Sequence, residues 1–247
     1  MLPRLLSVLI LLLVGLVAQN ANAGATVRWQ ASAGLLPDEV FPSWTLFDSA
    51  TAEDPVLGPM FLTLETSVNS EFMWYQISEP DIGAGFPLVI NARIRMVSGS
   101  SSSPIRQPAH ILITASPNVG TALQIGLDEF FLSTGPSSRG PSVLVDTDDD
   151  FHVYQIVVSA LGEVEVFYDG ASVLDGNVYA SGSDHGPTPR IGWGMASALS
   201  QGEAQWVYVE HNAGLPPVPI LNRWLIGLLV FALSTSFWVA NRMRQST

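Results

Sequence analysis

The chain has 247 residues, with ten basic residues, 22 acidic residues, four histidines and no cysteine, for a formal net charge of −12. An acidic surface of this kind repels nucleic acid and anionic lipid headgroups, which excludes both as partners. The lack of cysteine excludes a disulfide framework, so an exported domain must be held by its core alone.

The N-terminus runs Met1-Leu-Pro-Arg4, then an apolar stretch over residues 5–18, then Ala21-Asn22-Ala23. A basic start, an apolar core and a small-x-small site predict a secretory signal peptide over residues 1–23. Residues 24–215 follow, the size of one large β domain able to bury about 70% of its unfolded surface. All 22 acidic residues lie here against six arginines and no lysine, hence a net of −16.

Twelve strands are predicted in this domain, at 60–65, 72–78, 88–97, 110–115, 122–127, 130–133, 142–145, 153–159, 163–168, 171–174, 190–193 and 205–211. They are short, rich in Val, Ile, Phe and Tyr, and separated by Gly, Pro, Ser and Asp clusters. No interior segment holds a helical period for three turns. The pattern predicts two packed antiparallel sheets. Between strands, residues 98–108 (SGSSSSPIRQP) read as a flexible, exposed polar excursion.

Asp146-Thr-Asp148-Asp149-Asp150 places oxygens at i, i+2 and i+4. Asp146, Asp148 and Asp150 are therefore candidate calcium ligands. Phe151 stands where an EF-hand loop needs glycine, so a solvated acidic turn is the competing interpretation. Residues 151–176 then alternate. Tyr154, Ile156 and Val158 share one face, as do Val164, Val166 and Tyr168, with Glu163 and Glu165 opposite. Asp169-Gly170 suits a two-residue turn with positive φ at both positions, which completes a meander.

The stretch "FHVYQIVVSALGEVEVFYDGASVL" resembles the signature hairpin of concanavalin-A-like and laminin-G-like domains. "LVINARIRMVSG" and "WVYVEHNAG" are similar to other strands of those domains. The resemblance implies an all-β, two-sheet antiparallel jelly-roll sandwich over 24–215. Such folds carry lectins, adhesion modules, glycan-binding modules and glucanases, so the resemblance alone selects no activity. Some laminin-G-like domains also hold calcium in loops.

Catalysis is not expected. Glucanases on this fold carry Glu-x-Asp-x-Glu on one strand, whereas this chain has Glu163-Val-Glu165-Val-Phe167 on a solvent-facing strand. His110, His152, His185 and His211 form no metal motif, and Ser183-Asp184-His185 lacks a nucleophile elbow. Carbohydrate binding is the stronger expectation, since sugars stack on aromatic faces beside polar groups. Trp29, Trp44, Trp74, Trp193 and Trp206 all lie in the domain. Most are expected in the core. Trp193, between two glycines and just after the irregular loop 181–189, is the candidate contact, with Asp184 and His185 beside it.

Residues 216–223 form a proline-rich spacer and motif, followed by WLIGLLVFALSTSFWVA over 224–240. As a helix this uncharged run would be about 26 Å long, at the low end of what spans a bilayer. Trp224 and Trp238 mark its interfaces, and Arg242 and Arg244 in the tail 241–247 hold that end in the cytoplasm. "VPILNRW" is similar to the Ile-Pro-Thr-Leu-Ser-x-Trp-Gly tails handled by exosortase-type enzymes. Val218, Pro219, Ile220, Leu221 and Trp224 fall at its positions, with Ile220 in place of Thr and Leu225 in place of Gly. This resemblance implies sorting by such an enzyme; a permanent anchor has the same order of parts.

Together these features predict a bacterial protein taken outward by the export machinery. Its N-terminal domain stands outside the cell envelope on a single-pass helix and acts as a binding or adhesion module for an extracellular glycan or matrix polymer. Glycan hydrolysis and a purely structural matrix role are the alternatives. No cofactor is expected apart from calcium.

Overall fold

The computed structural model describes residues 27–49, 53–78, 86–135, 137–180, 187–195 and 199–213. All of them lie within one compact unit, Thr26–Leu215. The predicted signal peptide, spacer, sorting motif, membrane helix and tail, together with Asp184 and His185, lie outside the described residues.

Sixteen strands occur: β1 (Val27–Gln30), β2 (Thr45–Asp48), β3 (Val56–Leu57), β4 (Leu62–Thr66), β5 (Met73–Ser78), β6 (Leu88–Ser101), β7 (Ala109–Ser116), β8 (Val119–Ile125), β9 (Glu129–Gly135), β10 (Ser138–Leu144), β11 (His152–Val158), β12 (Glu163–Tyr168), β13 (Ala171–Asn177), β14 (Tyr179–Ala180), β15 (Arg190–Met195) and β16 (Ser200–His211). One 3-10 turn, Ala31–Ala33, is the sole helical element among the described residues. The first sheet runs β13-β12-β11-β6-β16-β4-β3, with β1 sharing the β4 edge of β16. The second runs β10-β9-β8-β7-β15-β5-β2, with β14 added at β8. Every pairing is antiparallel. The expected all-β jelly-roll sandwich is present.

The alternation of β6 explains the first sheet. Leu88, Ile90, Ala92, Ile94 and Met96 are buried, while Val89, Asn91, Arg93 and Arg95 are half-buried on the outer face. A strand with period two can present one apolar row inward and one polar row outward. The meander β11-β12-β13 behaves the same way, and its turn carries Asp169 and Gly170 at φ 49° and 84°, as the Asp-Gly pair predicts.

The second sheet departs from simple alternation. Ala109 through Thr114 of β7 and Gly120 through Ile125 of β8 are buried on both faces. The inner rows fill the core, which centres on Trp193. Its ring lies 5.2 Å from Trp29, 5.2 Å from Tyr75, 4.8 Å from Trp206 and 5.9 Å from Trp44. Aromatic groups bury large areas each, so this cluster dominates the cohesion of a domain without disulfides.

Two features correct the sequence expectations. First, β6 extends to Ser101, pairing Ser98 through Ser101 with Glu203 back to Ser200. The serine loop is pinned: Ser101 Oγ donates to the Ser103 carbonyl at 2.7 Å, and the Ser102 amide and Oγ both donate to the Leu199 carbonyl at 2.8 Å. Serine hydroxyls serve as loop cement here and do not mark a flexible excursion. Second, β1, β2, β3 and β14 have no counterpart among the predicted strands. Each has two to four residues, too few for a period to show.

Candidate functional site

The outer face of the second sheet carries one continuous row across seven strands. Ser142, Phe131, Gln124, His110, Gly194, Trp74 and Phe47 are successive cross-strand partners. Strands stand about 4.8 Å apart, so the row is on the order of 29 Å long. Its Phe131, Gln124 and His110 positions are buried, whereas Trp74 is half-buried and Phe47 exposed.

At the open end the sequence builds an aromatic platform around Trp74. β15 reads Arg190-Ile-Gly192-Trp193-Gly194-Met195, with Ile191 and Trp193 inward. The outward positions 192 and 194 therefore lack side chains, and a trench one strand wide opens beside β5. The Trp74 indole lies over it. A Cβ at Gly192 would stand 2.6 Å from Trp74 Cε3, and one at Gly194 would stand 2.6 Å from the Met73 carbonyl oxygen. Gly194 also has φ 139°, a conformation that favours glycine.

Trp74 is bordered by Phe47 at 5.5 Å, by His110 at 5.9 Å and by the Arg190 guanidinium 5.4 Å from its ring centre. Arg190 Nη1 donates to Gln76 Oε1 at 3.0 Å, and Gln76 Nε2 donates to Ser78 Oγ at 3.0 Å. Trp74, Gln76 and Ser78 alternate along β5 and share its outer face. The polar groups flanking the indole are thus held in place before any ligand arrives, which lowers the ordering cost of binding. Burial pushes the His110 imidazole down to a pKa of about 3, reinforced by the charges of Arg106 and Arg190. His110 is a neutral ring at physiological pH.

A cavity of about 580 Å³ lies beside the pinned serine loop, lined by Ser100 through Ser103, Gln107, Glu129, Arg139 and Leu144 among others. Glu129 is clamped there by Arg139, which bonds it through both Nη atoms, and by Gln107 Nε2 at 2.9 Å. The Gln107 amide donates to Gln124 Oε1 at 3.1 Å, tying this loop to the row that contains His110.

The predicted site residues fall elsewhere. Trp193 is 0% exposed, at the centre of the core, and offers no face to a ligand in solution. Its flanking glycines are the informative signal. With a period of two they occupy the face opposite Trp193, which marks where a neighbouring side chain is laid flat.

The candidate calcium ligands Asp146, Asp148 and Asp150 lie on the acidic turn that precedes β11. All three are exposed, Asp146 Oδ1 accepts the Asp148 amide at 3.1 Å, and Asp150 Oδ1 accepts the Phe151 amide at 2.6 Å. Among the described residues no three carboxylates or imidazoles converge as metal ligands. The side-chain hydrogen bond to Asp146 raises the Asp148 pKa, as expected of two acids facing each other.

His152 sits between two carboxylates, with Nδ1 2.7 Å from Asp169 Oδ2 and Nε2 2.8 Å from Asp149 Oδ1. Its ring stacks on Tyr168 at 4.8 Å. Burial opposes its charge, but the two hydrogen bonds outweigh that and raise its pKa. This cluster fastens the acidic turn to the meander. Glu163 and Glu165 are exposed on β12; Glu163 accepts from Ser159 Oγ at 3.3 Å and Glu165 from Ser172 Oγ at 2.6 Å.

Fold and platform together define a jelly-roll sandwich whose second sheet leaves Trp74 half-buried and Phe47 exposed at one end of its outer row. No protein-family model matches the chain, and no curated protein does. Solved structures match it in fold. A carbohydrate esterase from Shiga toxin-encoding bacteriophage phi24B superposes with a TM-score of 0.55 at 9% identity, covering 76% of this chain and 98% of that one. A protein of unknown function from Shewanella oneidensis MR-1 gives 0.49 at 9% identity, covering 78% and 87%. The carbohydrate recognition domain of Emp46p gives 0.46 at 13% identity, covering 76% and 100%. At these identities the likeness is one of fold.

Proposed function

We propose that this domain is a non-catalytic module that binds a neutral glycan by stacking a sugar ring on Trp74. The supporting observation is a difference in burial. Trp29, Trp44, Trp193 and Trp206 are 0–1% exposed, and Trp74 alone among the described tryptophans turns a face outward. A half-buried indole with the Arg190 guanidinium over its ring and the preset Gln76 amide and Ser78 hydroxyl on the same strand face suits the apolar face and hydroxyl rim of a pyranose. The net of −16 in residues 24–215 disfavours an anionic polymer and favours a neutral one.

A non-catalytic role is supported by Glu163 and Glu165 standing exposed and hydrogen-bonded to serines. The predicted signal peptide, the apolar run 224–240 and Arg242 and Arg244 support export and anchoring at the cell envelope, with the tail as a substrate for an exosortase-type enzyme. The neutral polymers laminarin, lichenan and mannan, cast in native gels against an anionic polygalacturonate control, test the ligand class. Retardation of the intact chain by a neutral polymer is expected, and retardation by none of them would contradict the proposal. Mass spectrometry of the mature termini tests the sorting.

A further inference from the structure

We infer that Arg93 and Arg95, with Phe151 between them, form a second binding site on the outer face of the first sheet, for the single carboxylate of an acidic sugar. The two arginines are alternate residues of β6, so their Cα atoms lie about 6.7 Å apart on one face. Both guanidinium groups lie over the Phe151 ring, at 5.6 and 5.0 Å from its centre. Phe61 extends that aromatic surface at 5.8 Å from Phe151.

Half-buried cations are ordinarily matched by carboxylates, because desolvating an unpaired charge is costly. In a chain with 22 acidic residues, these two are not matched. Among the described residues the Arg93 side chain makes no hydrogen bond or ion pair. Arg95 Nη2 donates at 2.7 Å to Gln205 Oε1, a neutral acceptor, and its Nε is buried without a partner.

The acids nearest in sequence or register are engaged elsewhere. Asp149 binds His152, Asp150 takes the Phe151 amide, and Glu210 takes Asn91 at 3.0 Å and Arg28 at 3.5 Å. Glu203 lies opposite Ser98, beyond the pair.

Two forked donors around an aromatic face match a carboxylate on a sugar ring: the guanidinium N–H groups bind the oxygens and Phe151 covers an apolar edge. The net charge of the domain sets the size of the ligand. Repulsion beyond a Debye length of about 8 Å is screened, so one acid group is tolerated where a polyanion is not. This site and Trp74 lie on opposite sheets, so either can fail while the other stands.

The test is titration of the intact chain with galacturonic acid, galactose and acetate, read on the arginine Nε–Hε resonances by NMR. Galacturonic acid is expected to shift the Arg93 and Arg95 signals, galactose to leave them in place, and acetate to bind more weakly. Arg93→Gln with Arg95→Gln should weaken galacturonic acid binding by about tenfold or more, and Arg95→Lys by less. Unshifted arginine signals in the wild-type chain would overturn the inference, whatever the folding of the variants. So would an equal response to galactose, or acetate binding as tightly as the sugar acid.

Discussion

The Trp74 indole rests where a side chain at residue 192 would stand, so Gly192 sets the attitude of the ring. Gly192→Ala places a methyl 2.6 Å from Trp74 Cε3 and must tilt the indole off the sheet. Glycan binding should fall by up to about tenfold, the size of an aromatic stacking contribution. Overpacking should cost about 1–3 kcal/mol of stability. Affinity electrophoresis with paired urea denaturation separates the two effects. Undiminished binding would place the sugar elsewhere.

Trp193→Ala should act on stability alone. The side chain is fully buried against four aromatic rings, and truncating a buried tryptophan costs about 3–5 kcal/mol. Urea denaturation should show that loss. A change below about 1 kcal/mol would contradict the packing described for the core.

Glu71 closes the turn between β4 and β5. It is 2% exposed, and its Oε2 accepts the Ser67 amide at 2.6 Å, the Val68 amide at 3.1 Å and Ser67 Oγ at 3.1 Å. Hydrogen bonds to a charged group each contribute about 1.5–3 kcal/mol, so Glu71→Ala should cost about 2–4 kcal/mol. Glu71→Gln, which keeps an acceptor, should cost less. Thermal melts of the two variants give the comparison.

Histidines set opposite pH dependences. Burial lowers His110 to a pKa of about 3 and His211 to about 4, against about 6.5 when unfolded. The unfolded chain therefore takes up protons first, and stability falls as pH drops from about 6.5 towards 4, by up to about 1.4 kcal/mol per pH unit for each ring. His152, with its pKa raised, works in the other sense. Its contribution is full below the unfolded value and is lost as pH rises through the folded one. Denaturation between pH 4 and 8 should show a net loss on acidification. His152→Gln should lower stability more at acid pH than at alkaline pH.

Much of the sandwich can be read from residue alternation alone. The β11-β12-β13 meander follows from Tyr154, Ile156 and Val158 against Gln155 and Val157, and from Asp169-Gly170. The short strands β1 and β2 resist such reading because their registers are fixed by partners far away in sequence, such as Val27 opposite His211. The binding face is harder still. Period two assigns Trp193 and its glycines to opposite faces, but which tryptophan fills the glycine trench depends on the β5–β15 pairing of Trp74 with Gly194. Likewise, the run 98–103 looks like a mobile linker because its bonds to Leu199 close across about a hundred residues.

The most direct measurement is tryptophan fluorescence of the intact chain during titration with laminarin, lichenan and mannan, for the wild type and Trp74→Ala. A saturable change with at least one neutral glycan, abolished in Trp74→Ala while its melting temperature stays within a few degrees of wild type, is the predicted result. Saturable glycan binding that survives in Trp74→Ala, or no neutral glycan bound by the wild type, would contradict it.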